Sequence, residues 1–452
     1  MIVPEDREQP DGRTLRLFVT RVQPPGGPTY PDPMLVLGMD LAQEVDYGGI
    51  APMAPRIGRE VIMLDTRGMG FSEPSLNCPE LDPVAATTTA ALTDDQTARD
   101  AFLGAVQACH DRLIEAGVDL SAYGLEASAA DVEDLRRVLD IPEWGVTTHG
   151  SASRLSLEYL RRYPQHIRVI VLDSPDFPQV DPFAEAIRGT REALGELFAA
   201  CHQSRICSRT YPDLESSFGE ALVQLDADPI TIQTSTSTGE RVEVAFDAVM
   251  FLRTVRQMLS EGHRLNGDIT GFIDAARAGA SARLARWLSE FAGDEAYCVG
   301  YLPKCEPAHP LFEGAFYSIL CRDIVPFVDT QELVASTEGD TTFITAFADP
   351  PLLDVCEPWE VPPSDPEVAS PVRSDVPTLI VLGRLDPFAT RSIAEEASAS
   401  FTTSFIVVDP AGDHNALPSP CLLSIRNAWV DAPTEAPAET GCLDERGPPP
   451  FL

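Results

Sequence analysis

In the first 180 residues, short runs of consecutive apolar positions alternate with longer stretches of helical period. The runs over 14–20, 34–37, 61–65 and 167–173 are too short for core helices, and most are apolar on both faces. That is the pattern of strands buried in a parallel sheet. Between them, 94–116 and 128–139 read as helices, and Ser128 with Asp131 three residues on predicts the N-cap of the second. Strand–helix alternation of this kind predicts an α/β fold, a mostly parallel sheet flanked by helices. From residue 181 the short runs give way to helical periods over 183–201, 211–225, 245–259 and 269–291, which predict an inserted helical cap. A proline-rich segment over 358–366 leads back to the strand–helix rhythm, with apolar runs at 378–383 and 405–408. The expected division is a first core part over 1–180, a cap over 181–365, a second core part over 366–430 and a Pro/Glu/Ala-rich tail over 431–452. The tail is expected to be loosely ordered apart from Cys442.

The candidate chemistry lies in 145–162, which reads as the strand, sharp turn and helix that present the nucleophile of a serine hydrolase. Gly150 stands where the serine belongs. Such a turn brings two backbones together and needs small residues two before and two after the nucleophile. Thr148 and Ala152 satisfy this around Gly150, whereas centring the turn on Ser151 places His149 in a crowded position. Asp386 follows the run at 378–383, and His414 lies in a turn-rich loop after the run at 405–408. The order nucleophile, acid, histidine is then complete except for its first member. Both residues are expected at the C-terminal ends of parallel strands, where active-site loops of open α/β sheets gather.

With these motifs, the sequence resembles the bacterial tripeptidyl aminopeptidase-like α/β hydrolases, which are secreted serine peptidases. The resemblance runs through Val3-Pro-Glu-Asp6, Asp65-Thr-Arg-Gly-Met-Gly-Phe-Ser-Glu-Pro74, Ala130-Asp-Val-Glu-Asp-Leu-Arg-Arg137, Glu158-Tyr-Leu-Arg-Arg-Tyr-Pro164, Val171-Leu-Asp173 and Pro371-Val-Arg-Ser-Asp-Val-Pro-Thr378. It implies an α/β-hydrolase fold with a cap. An active relative would remove short peptides from a free N-terminus, with serine attacking, the counterpart of His414 as base and acid, and that of Asp386 orienting the imidazole. A second departure accompanies the missing serine. The family's glycine-rich oxyanion loop is replaced here by Gly38-Met-Asp-Leu-Ala-Gln43, so the oxyanion region would be Gly38, Met39 and Ser151, with Asp40 repelling negative charge. These departures favour a pseudoenzyme. The alternatives are an active hydrolase or peptidase using Ser151 as a displaced nucleophile, or a non-catalytic binder of a small peptide or ester. Without a serine, Asp386 and His414 are also readable as a structural hydrogen bond, and His149 as a packing residue.

Composition narrows the surroundings more than the chemistry. A formal net charge of −37 disfavours nucleic acid and anionic membranes. No apolar run is long enough to span a bilayer. The ten cysteines form sequence-local pairs, Cys78–Cys109, Cys201–Cys207, Cys298–Cys305, Cys321–Cys356 and Cys421–Cys442, although spacing alone leaves the connectivity open. By resemblance, the first, second, fourth and fifth sit where the family has bridges. Disulfides place the chain in an extracellular, periplasmic or cell-surface compartment. Zinc is disfavoured because no Cys-x-x-Cys occurs, and the glycines after Asp65 lack the lysine of a phosphate loop. No cofactor or metal is expected, and the chain is expected to be a monomer. His110, His166, His202, His263 and His309 are expected at the surface. The N-terminus carries no leader, and the expectation is that this chain starts downstream of one.

Overall fold

The computed structural model describes residues 1–38, 53–84, 96–235, 241–260, 262–292, 312–340, 342–347, 350–414, 419–438, 440–447 and 451. The chain opens with a small antiparallel pair, β1 (Ile2–Pro4) and β2 (Thr14–Arg16). The single strand expected over 14–20 is therefore two, because β3 (Val19–Val22) leaves the pair and joins the main sheet antiparallel to β5 (Val61–Leu64). Among the described residues, seven strands form that sheet: β3, β5, β4 (Met34–Leu37), β6 (Trp144–His149), β7 (Ile167–Asp173), β10 (Thr378–Gly383) and β11 (Ser404–Asp409). Their order is β11-β10-β7-β6-β4-β5-β3, parallel apart from the β3 edge. β8 (Ile230–Ser235) and β9 (Arg241–Phe246) form a separate antiparallel pair.

Every residue of β4, β5 and β10 is buried. Alternate side chains feed two apolar layers, as a sheet covered on both faces requires. Leu35, Leu37, Ile62 and Leu64 face the larger layer, and Met34, Val36, Val61 and Met63 face the other with Trp429. The helices α1 (Gln96–Glu115), α2 (Leu125–Val138) and α3 (Ser153–Arg162) lie between or after these strands in the first 180 residues. The start of α2 is a correction. Gly124 is its N-cap, while Ser128 lies a turn inside the helix and donates its hydroxyl to the Gly124 carbonyl at 3.0 Å. Asp131 instead receives the buried Arg67 guanidinium at 2.8 Å.

The segment expected as a cap begins with α4 (Pro182–Gln203), where Asp181 accepts hydrogen bonds from the Phe183 and Ala184 amides and Pro182 opens the first turn. It continues through α5 (Leu214–Ala227), α6 (Ala248–Ser260), α7 (Gly262–Arg277) and α8 (Ser281–Ala292), with Phe218, Phe246, Phe251, Phe272 and Trp287 in mutual ring contact. Two expectations change here. The cap contains the β8–β9 pair and so is not purely helical, and the single helix expected over 269–291 is two.

After β10 and β11, with α9 (Arg391–Ser398) between them, α10 (Pro420–Asp431) packs Leu422, Ile425 and Trp429 on the second layer. The tail is held more firmly than expected. It contains α11 (Gly441–Arg446), whose Arg446 pairs with the buried Asp409 at 2.8 Å, and the Trp429 indole N–H donates to the Glu435 carbonyl at 3.1 Å. Four of the five cysteine pairs are disulfides, Cys78–Cys109, Cys201–Cys207, Cys321–Cys356 and Cys421–Cys442, while Cys298–Cys305 lies outside the described residues. Among the described residues, no helix is long and apolar enough to cross a membrane.

Candidate active site

β6 is the middle strand of the seven, and its C-terminal end delivers Gly150 to the edge of the sheet where β10 and β11 also end. Gly150 has φ +57°, in the left-handed region that a side chain enters only with strain. Apart from its chain neighbours, and among the described residues, a Cβ placed there would meet only His414 within 4 Å, with Nε2 at 3.4 Å and Cε1 at 3.8 Å. The conformation and direction are therefore those of an elbow aiming its residue at the imidazole. The turn is tied down by Ser153, whose hydroxyl lies 2.5 Å from the Gly150 carbonyl and 3.0 Å from that of Asp176. Ser151 is exposed beside the turn, and among the described residues no hydrogen bond joins it to His414.

His414 and Asp386 come together as the sequence order implies. The imidazole Nδ1 lies 3.1 and 3.2 Å from the two carboxylate oxygens of Asp386. Asp386 is fully enclosed, and its Oδ1 accepts from the Phe388 and Ala389 amides at 2.8 and 3.1 Å. Gly383 makes the approach of the two loops possible, since a Cβ there would fall 2.0 Å from the Asp413 carbonyl oxygen. The imidazole is held between two rings, Phe388 at 4.6 Å and His149 at 4.8 Å between centroids. The cap adds a third restraint, because the His414 amide donates to the carbonyl of Ser260 at the end of α6. His149 is exposed at the rim, with its Nε2 2.9 Å from the His414 carbonyl.

Burial raises the Asp386 carboxyl, but the neighbouring imidazolium charge, its hydrogen bond and the Phe388 amide outweigh this and hold the group below the usual carboxylate range. Burial lowers the His414 imidazole, and the charge and hydrogen bond of Asp386, assisted by Asp173 and Asp413, more than reverse it. With Nδ1–H donated to Asp386, the neutral His414 ring presents its Nε2 lone pair to the space beside Gly150.

A cavity of about 240 Å³ opens over this point, lined among others by Gly150, Ser151, Asp176, Glu185, Phe388 and His414. Two of these residues were not anticipated. Asp176 forms a two-pronged pair with buried Arg154, at 2.6 and 2.8 Å, which also donates to the Val180 carbonyl at 2.9 Å and so fixes one wall. Glu185, 5% exposed on α4, accepts from the Thr390 hydroxyl at 3.0 Å and pairs with Arg188 at 3.2 Å. Burial, partly offset by Thr390 and Arg188, raises its carboxyl to about 7. Neither could be read from local pattern, because each role exists only through a partner met in the fold, Arg154 for Asp176 and Thr390 for Glu185. Ser174, with φ +49°, also lines the cavity. Of the proposed oxyanion residues, Gly38 ends β4 at the same sheet edge, while Met39, with neighbouring Asp40, lies outside the described residues.

The other histidines divide. His110 is packed against Trp359 with 13% of its side chain exposed, which corrects the surface expectation, and His166 is half-buried beside Glu133. His202 is exposed, and His263 and His309 lie outside the side chains described.

Residues 26–209 match a family model described as alpha/beta hydrolase fold, and residues 342–442 match one described as TAP-like protein. Carboxylesterase B of Mycobacterium tuberculosis is 29% identical over 224 residues, covering 45% of this chain and 41% of that protein. The chain thus spans about two fifths of the length of the curated relatives it matches. Similar solved structures include proline iminopeptidase of Mycobacterium smegmatis, at 13% identity and a TM-score of 0.40 over 98% of this chain and 97% of that one. A thermophilic esterase from Thermogutta terrifontis follows at 12% identity and a TM-score of 0.38, over 93% and 95%.

Proposed function

We propose, from the premise that this chain belongs to the tripeptidyl aminopeptidase-like α/β hydrolases, that it is a member impaired in serine-dependent acyl transfer whose cavity binds a short peptide or ester. One observation carries this reading: the residue directed at His414 Nε2 from the end of the central strand is a glycine. Removing the nucleophile from a serine protease costs on the order of a million-fold in kcat. What remains is what binds and polarises a carbonyl. The Asp386–His414 pair is intact in geometry, and Gly150, Ser151 and His414 line one cavity. The apolar residues Phe177, Val180 and Phe388 in the cavity wall suit a small acyl or side-chain group. The four disulfides support an exported protein, because such bonds persist outside the reducing cytosol.

The test is fluorophosphonate treatment of the oxidised chain and of Ser151→Ala, read by intact mass. The parent is expected to keep its unmodified mass. A stoichiometric adduct on the parent that disappears in Ser151→Ala would overturn the proposal and establish the displaced serine.

A further inference from the structure

We propose that the Asp386–His414 pair activates water directly, so that this chain hydrolyses small esters without forming an acyl-enzyme. The inference rests on residue 150 being the nucleophile position, and it goes further by assigning that position a different reactant. Residue 150 has no side chain, and among the described residues, its chain neighbours aside, the space its Cβ would take has only His414 within 4 Å, with Nε2 at 3.4 Å. Among the described residues, the volume that a serine side chain would fill is therefore left open against the imidazole. The Nδ1 side of the ring is occupied by Asp386 at 3.1 and 3.2 Å, which makes Nε2 the acceptor nitrogen of the neutral ring. Ring contacts with Phe388 and His149 keep Nε2 turned toward this space. Gly150, Ser151 and His414 all line the same cavity, so a small acyl group and a water reach one point together.

The step closes without a bond to the protein. Nε2 takes a proton from water as the water oxygen bonds to the acyl carbon, and the carbonyl π pair moves onto the carbonyl oxygen. When the carbonyl re-forms, the carbon–oxygen bond to the leaving group breaks, and the departing alkoxide takes the proton from Nε2. Ester and water give acid and alcohol, and His414 is neutral again. Asp386 acts through the imidazole as a positioning residue.

The probe is p-nitrophenyl acetate with the oxidised full chain. The expected result is linear nitrophenol release with no initial burst and no acetyl adduct in the quenched intact mass. His414→Ala lowers kcat/KM about a hundredfold, the scale of a lost general base. Gly150→Ala places a methyl in the water's space and lowers turnover at least about tenfold with the Asp386–His414 pair retained. Gly150→Ser restores a burst and an acetyl adduct. A parent no faster than His414→Ala, beside a bursting Gly150→Ser, overturns the water mechanism while leaving the site reading in place. An acetylated parent also overturns it. An inert parent together with a folded but inert Gly150→Ser overturns both the mechanism and the site reading.

Discussion

Glu185 offers a prediction whose size follows from the structure. Its carboxyl sits in the cavity wall at 5% exposure, with the Thr390 hydroxyl and the Arg188 guanidinium as partners, and burial outweighs both to raise it from 4.5 to about 7. A carboxyl raised on folding favours the protonated native state. Its contribution is complete below about pH 4.5 and is lost as the pH rises through about 7. At about 1.4 kcal/mol per pH unit, holding the ionised form in the fold at pH 8 costs about 3 kcal/mol relative to the unfolded chain. Glu185→Gln removes the ionisation but keeps an acceptor for Thr390, and Arg188 keeps Glu332 at 2.7 Å as a partner. The variant is therefore expected to match the parent within about 0.5 kcal/mol at pH 4.5 and to exceed it by about 3 kcal/mol at pH 8. Urea unfolding with the disulfides intact, run on both chains across that range, reads the difference directly. Every other titrating group is common to the two and cancels. A stability difference that stays constant with pH, or a parent that gains on the variant as pH rises, would refute the reasoning.

Three further outcomes are expected. Gly150→Ser forces a side chain into φ +57° at a cost of about 1–2 kcal/mol, but among the described residues beyond its chain neighbours its Cβ meets no atom closer than 3.4 Å, so the variant folds and melts only a few degrees lower by calorimetry. Asp386→Asn removes the charge that most raises His414, so the imidazole pKa falls, and NMR titration of the ring protons follows the shift. Replacing Cys421 and Cys442 by serine opens a 21-residue separation, lowering stability by about 3 kcal/mol and exposing the region around 432–440 to protease in timed digests.

The sheet was legible because its strands are continuous apolar runs too short to be helices, and β4 and β10 fall where those runs do. The β8–β9 pair was not, because its first strand is a polar threonine- and serine-containing segment with only Ile230 and Ile232 to mark it. At the start of α2, Ser128 and Asp131 carry a capping pattern that the tertiary structure redirects. Gly124 starts the helix, and Asp131 is taken by Arg67. Asp386 and His414 were legible from chain order and from their places after apolar runs. Asp176 and Glu185 were not, since an acidic residue in a loop or on a helix acquires meaning only from the Arg154 or Thr390 it meets in space.

The central claim is that residue 150 is the position of the missing nucleophile, and mapping the modified residue tests it most directly. Gly150→Ser treated with a fluorophosphonate, digested and sequenced by tandem mass spectrometry should carry its adduct on residue 150 and lose it when His414 is also replaced by alanine. An adduct on Ser151, or a folded variant that takes none, would contradict the account.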